Sequence, residues 1–141
     1  MEYGRYDNQV VLRLDKGDEI IACITDLFQR EGLQAATVQG IGYTDNMRIR
    51  IYDRDRDTFL FQTVTDPMEI TSLTGNVVMA DNGLYPHLHV MAAGPDLKVI
   101  GGHLSSCVIA LTGELVLTLL PGKVRREAAG DEKIGLMRFE P

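Results

Sequence analysis

The chain has 141 residues, with 14 Lys and Arg against 20 Asp and Glu, so its formal net charge is −6. This length favours one domain spanning residues 1–141, and a hydrophobic content of 45% excludes a disordered chain. The negative charge argues against broad binding of nucleic-acid phosphates, and no apolar run reaches the roughly 20 residues that a membrane helix needs. We therefore expect a cytoplasmic protein that binds neither nucleic acid nor membrane.

The first part of the sequence predicts a strand followed by a helix. Residues 10–14 are apolar enough for a strand, and residues 15–19 supply a capping residue and acids for a first helical turn. Ile20, Ile24, Leu27 and Phe28 then recur on one helical face, and Gly32 is placed to end the helix.

The rest of the chain has the patterns of short strands separated by turn residues. Residues 35–38 predict a strand that ends at Gly40 and Gly42, and residues 47–52 and 58–63 predict a hairpin. Further strands are predicted at 68–73, 76–80, 87–92, 97–100, 107–112 and 115–119, with glycine-containing breakers between several of them, including Gly101-Gly102. The predicted fold class is α+β, a mainly antiparallel sheet with one principal helix near the N-terminus.

The three histidines of the chain form the most informative group in the sequence. His87 and His89 lie two residues apart in a predicted strand, so their side chains point to the same face. A turn at residues 94–96 can return the next strand beside the first, which would bring His103 near that face. Gly101 and Gly102 leave room for the close approach of a ligand or of the third histidine.

Three imidazoles from two neighbouring strands are typical of a divalent metal site, and zinc is the usual ion. A nearby carboxylate could complete or tune such a site, and Glu69 and Glu114 are the candidates on strand-like segments. The alternative interpretation is a cluster of partly buried polar side chains that form hydrogen bonds at a sheet edge or a subunit contact.

Three segments resemble the plants-and-prokaryotes-conserved (PPC) domain, also called DUF296. They are Pro86-His87-Leu88-His89-Val90, the Gly101-Gly102-His103 element within residues 99–104, and residues 107–114. The resemblance extends over residues 10–121 and implies a PPC-like fold assembled as a homotrimer.

Plant members of this family carry AT-hooks that bind DNA, while the domain itself mediates association with partners. This sequence has no Arg-Gly-Arg-Pro hook, and Pro67 and Met68 stand where the plant pattern has Arg and Phe. It resembles a stand-alone prokaryotic member, for which the plant DNA-binding role is not implied.

The histidine element is also similar to that of α-acetolactate decarboxylase, a zinc enzyme whose histidines bind its metal. By this likeness His87, His89 and His103 would be the zinc ligands.

The first functional hypothesis is a small homotrimeric binding or regulatory module with a three-histidine zinc or ligand site, whose partners are other proteins or a small molecule. The alternative is a zinc-dependent lyase or other metalloenzyme acting on a small oxo- or hydroxy-acid. In that case the metal would polarise a carbonyl and Glu69 or Glu114 would move a proton. DNA binding is the least favoured hypothesis.

Overall fold

The computed structural model describes residues 1–127 and 135–140. Within this part of the chain, nine strands and one helix are assigned. They are β1 (Glu2–Tyr6), β2 (Gln9–Asp15), α1 (Ile20–Glu31), β3 (Ala35–Asp53), β4 (Thr58–Val64), β5 (Met68–Ala80), β6 (Gly83–Ala93), β7 (Val99–Leu119), β8 (Lys123–Glu127) and β9 (Leu136–Glu140). The predicted single domain runs to residue 141, and residues 128–134 and 141 lie outside the described residues.

All nine strands belong to one hydrogen-bonded sheet. Its order is β1-β2-β7-β3-β5-β8-β9, β4 pairs with β3, and β6 pairs with both β5 and β7. Every pairing is antiparallel except the short parallel contact between β5 and β8. The predicted α+β class with a mainly antiparallel sheet is confirmed.

Helix α1 begins and ends close to where the sequence pattern predicts. Its buried face consists of the four residues at helical spacing, and Gly32 closes the C-terminus in the left-handed conformation at φ 61°. The N-cap is Glu19, whose side chain accepts a hydrogen bond from the backbone N–H of Ala22. The acids precede the helix instead of lying in its first turn, which differs from the expectation.

The predicted strand breaks at several glycines are wrong. β3 continues through Gly40 and Gly42, β5 joins two predicted strands, and β7 continues through Gly101 and Gly102. Where the sequence predicts that some of these strands end, the pairing of β3 with β7 continues and only shifts its register. Strand β8 and its partner β9 were not predicted, because their sequences carry no clear alternation.

The core lies between α1 and the inner face of the sheet. It is made of apolar side chains from the strands β2 to β7 that pack with the buried face of α1. In the described part of the chain, no helix is both long and apolar enough to span a membrane.

Candidate metal centre

The three histidines lie on adjacent strands of the sheet. His87 and His89 are on β6, and Leu88 and Val90 between and after them are buried in the core, as strand alternation predicts. The turn after β6 returns the chain along β7, where His103 is directly opposite His89 in the register. The predicted grouping of the three side chains on one face is therefore present.

The imidazole rings are close enough to share one ligand. Ring centroids are 5.3 Å apart for His87 and His89, 5.1 Å for His87 and His103, and 5.3 Å for His89 and His103. One nitrogen of each ring lies within 4.8 Å of the corresponding nitrogens of the other two. His89 is exposed, whereas His87 and His103 are half-buried.

The glycines beside His103 make room for backbone. A Cβ atom at Gly101 would lie 2.6 Å from the carbonyl oxygen of Val90 on β6, and one at Gly102 would lie 2.9 Å from the carbonyl oxygen of Arg50 on β3. The absence of both side chains lets β7 lie close to strands on both sides. This close packing holds His103 at the same level as His89.

Two arginines contact the histidine cluster. Nη2 of Arg50, on β3, lies 2.9 Å from Nε2 of His103, and Nη2 of Arg126, on β8, lies 2.9 Å from Nδ1 of His87. A guanidinium group has only N–H donors, so in both contacts the imidazole nitrogen is the acceptor. Both rings are therefore neutral.

Burial and the neighbouring positive charges keep these rings neutral. Burial is the main cause that lowers the pKa of His103 to about 4, and the Arg50 guanidinium adds to this effect. Burial also lowers the pKa of His87 below its ordinary value, with Arg126 as the second cause. Neutral imidazole is the form that binds a metal ion, so both rings have their lone pairs at neutral pH.

The cluster opens into a cavity of about 480 Å³. Its lining combines the three histidines and two arginines with aromatic and small residues: Arg50, Ile51, Tyr52, Phe59, Tyr85, His87, His89, Gly101, Gly102, His103 and Arg126. The guanidinium of Arg50 lies over the Phe59 ring, and that of Arg126 lies over the Tyr85 ring. None of these lining residues carries a carboxylate.

The two glutamates proposed from the sequence lie elsewhere. Glu69 and Glu114 are both exposed, and neither lines the cavity of the histidine cluster. Glu114 lines a separate depression on the sheet. In this structure the histidines therefore come together without either predicted carboxylate.

Sequence reasoning missed the two arginines. Arg50 lies in the hairpin predicted at residues 47–52 and 58–63, to which no site was assigned, although the alternation of this strand places Arg50 and Tyr52 on one face. Arg126 is 76 residues further along the chain, and it reaches the site because β8 pairs with the end of β5. No local sequence signal marks that pairing.

Comparisons with known proteins identify a matching family and solved structures with a similar fold. The family model of the Plants and Prokaryotes Conserved (PCC) domain matches residues 1–121. A metal-containing protein from Archaeoglobus fulgidus is 33% identical, with a TM-score of 0.79 over 99% of this chain and 96% of that one. A search among curated proteins finds no match.

Two further structures share the fold at lower identity. A protein from Bacteroides thetaiotaomicron, for which DNA binding has been suggested, has a TM-score of 0.93 and 24% identity over 99% of this chain and 98% of that one. Acetolactate decarboxylase from Bacillus subtilis has a TM-score of 0.53 and 10% identity, over 86% of this chain and 56% of the enzyme. At these identities the likeness extends to the fold alone.

The family match covers the helix, the long strands and all three histidines, although Arg126 lies beyond it. The fold and the histidine element agree with the resemblance of the sequence. The chain belongs to the Plants and Prokaryotes Conserved domain family.

Proposed function

We propose that this protein is a small homotrimeric module that binds a divalent metal ion, zinc by preference, through His87, His89 and His103. The observation that supports the metal is the convergence of three imidazole nitrogens within 4.8 Å of one another. Neutral imidazole is a preferred zinc ligand, and three protein ligands leave a fourth position open for a small molecule.

The donor set fits zinc after a small closure of the rings. Zinc–nitrogen bonds of about 2.0–2.1 Å place two ligand nitrogens at most about 4 Å apart. The three imidazole nitrogens now lie within 4.8 Å of one another, so the widest pair has to move slightly closer to share one ion. The arginine N–H groups also have to leave the imidazole lone pairs that they now occupy.

The metal is tested by titrating metal-free protein with zinc in a calorimeter at neutral pH. We expect one zinc ion per chain, and we expect His89→Ala to weaken binding by about two orders of magnitude or more because one ligand is lost. Met91→Ala is the matched control, since Met91 is exposed on the same strand two residues further on. Absence of zinc binding, or equal affinity of wild type and His89→Ala, would refute the proposal and leave a hydrogen-bonded polar cluster.

The trimer is supported by apolar side chains on the outer face of the sheet. Val11 on β2 is 42% exposed and Ile41 on β3 is 54% exposed, and both line one depression beside β7. A second subunit would cover such a surface, and the number three comes from the family resemblance.

Light scattering should give about three times the chain mass of 15.6 kDa. Ile41→Asp should dissociate the assembly, whereas Leu97→Asp, at an 85% exposed turn position, should leave it intact. A wild-type monomer at micromolar concentration would contradict the proposal.

The enzyme alternative, a zinc-dependent lyase for a small oxo- or hydroxy-acid, requires a proton-transfer group beside the metal. The two carboxylates proposed for this role, Glu69 and Glu114, are exposed elsewhere, and among the described residues no other carboxylate lines the cavity. For this reason we favour metal and ligand binding over catalytic turnover.

We propose the cytoplasm as the compartment, since Cys23 and Cys107 are free thiols and fit a reducing environment.

A further inference from the structure

The cavity beside the histidines contains positive charge that no described carboxylate balances. Arg126 is only 8% exposed and Arg50 is half-buried, yet the ion pairs among residues 1–127 and 135–140 include neither of them. Buried arginines are normally paired with an anion, because an unpaired charge away from water is costly. Among the described residues, this site therefore has one buried and one half-buried cation without a paired anion.

The contacts of both guanidinium groups are with uncharged partners. Arg126 donates from Nη1 to the carbonyl oxygen of Gly135 at 2.8 Å and from Nη2 to His87. Arg50 donates from Nη2 to His103. The Nε atom of each arginine is buried without a hydrogen-bond partner. Each side chain therefore has an unused donor as well as an unbalanced charge.

We propose that this cavity binds a small organic carboxylate, with Arg50 and Arg126 as its anion-recognition residues. The planar guanidinium fork matches the two oxygens of a carboxylate. Tyr52, Phe59 and Tyr85 provide apolar walls for the organic part of the ligand, and the volume of about 480 Å³ lies within the range of small-molecule sites. Inorganic phosphate would leave those aromatic walls without a partner.

The carboxylate and the metal are coupled through the same hydrogen bonds. A metal ion needs the lone pairs of His87 and His103, which now accept from the two arginines. Metal uptake therefore frees one N–H group on each guanidinium, and a bound carboxylate offsets the repulsion between the ion and the arginines. The coupling rests on the proposed metal site, whereas binding of the carboxylate by the arginines does not, and linkage makes the coupling reciprocal.

The test is calorimetric titration of the full chain with pyruvate, in metal-free and zinc-loaded form. We expect zinc to raise the affinity for pyruvate. Pyruvamide, which has nearly the same shape without the negative charge, should bind at least about tenfold more weakly, the effect of one lost charge-assisted hydrogen bond. Stronger binding of inorganic phosphate than of pyruvate would overturn the assignment of the ligand class.

Arg50→Gln and Arg126→Gln should each lower pyruvate affinity by about tenfold or more, while zinc affinity stays equal or rises because a competing cation is gone. The matched controls are Arg48→Gln, an exposed position on the same strand, and Arg125→Gln, whose arginine contacts Asp81. Arg50→Lys keeps the positive charge without the planar guanidinium fork, so it should retain part of the affinity for pyruvate. This variant and Arg50→Gln test the proposal through Arg50 even if Arg126→Gln fails to fold. Unchanged pyruvate binding in folded Arg50→Gln would overturn the proposal.

The two proposals fail in different ways. If zinc does not bind but pyruvate binds with dependence on Arg50, the carboxylate proposal stands and the metal proposal fails. If zinc binds through the histidines and pyruvate does not bind in either form, the metal proposal stands and the carboxylate proposal fails.

Discussion

Glu19 connects α1 to β7 through both oxygens of its carboxylate. Oε2 accepts a hydrogen bond from the backbone N–H of Ala22, with an N–O distance of 2.7 Å. Oε1 accepts one from the backbone N–H of Cys107, with an N–O distance of 3.0 Å. Glu19 also forms an isolated bridge with Val108, at one of the irregular positions of β7. One side chain thus satisfies a helix N-terminus and a strand N–H that has no regular partner.

Replacing Glu19 with Ala should lower the free energy of unfolding more than is usual for a residue that is only partly buried. Loss of an N-cap costs about 1 kcal/mol, and loss of a charged acceptor for a buried N–H costs about 1–3 kcal/mol. The free energy of unfolding should fall by about 2–4 kcal/mol, which lowers the melting temperature of a chain of this length by about 6–12 °C. Glu19→Gln should lose about half of this, because its single carbonyl oxygen replaces only one acceptor well.

Urea unfolding followed by circular dichroism, with calorimetry for the melting temperature, measures these changes. Asp26→Ala is the control on the same helix, since it removes only an exposed ion pair with Arg30, worth less than about 1 kcal/mol. The reasoning is refuted if Glu19→Ala is no more destabilising than Asp26→Ala, or if Gln is worse than Ala at position 19.

Three further predictions follow from the site and its support. Leu88→Ala should lower the free energy of unfolding by about 3 kcal/mol in urea, because this side chain is fully buried, while zinc affinity stays within about twofold since Leu88 faces away from the histidines. Gly102→Ala should destabilise the protein by about 1–3 kcal/mol and weaken zinc binding, because the added methyl carbon would lie 2.9 Å from the Arg50 carbonyl oxygen; a wild-type melting curve would contradict this. The unfolded chain protonates His103 near its ordinary pKa of 6.5, whereas in the folded chain the pKa is about 4, so unfolding takes up a proton in this window. Metal-free wild type should therefore lose more stability than His103→Gln as the pH falls from about 6.5 to 4 in urea titrations, and identical pH profiles would show that the lowered pKa is absent.

The sequence alone was sufficient where a pattern repeats with the period of one element. Helix α1 could be predicted from the spacing of its four apolar residues, Ile20, Ile24, Leu27 and Phe28, and from the position of Gly32. A helix buries one face, and it commonly ends at a glycine, which adopts the left-handed conformation with little strain. Strand alternation likewise predicted that His87 and His89 share a face. Both predictions depend on contacts between near neighbours in the chain.

Only the tertiary structure decided where strands continue and which charges meet. Gly101 and Gly102 look like breakers locally, yet the carbonyl oxygens of Val90 and Arg50 on neighbouring strands occupy the space beside them, so β7 continues. Arg126 reaches His87 only because β8 pairs with the end of β5, and Arg50 faces His103 only through the register of β3 with β7. Such contacts between distant segments leave no periodic trace in the sequence, which is why the grouping of the histidines could be predicted and the contacts of the two arginines with them could not.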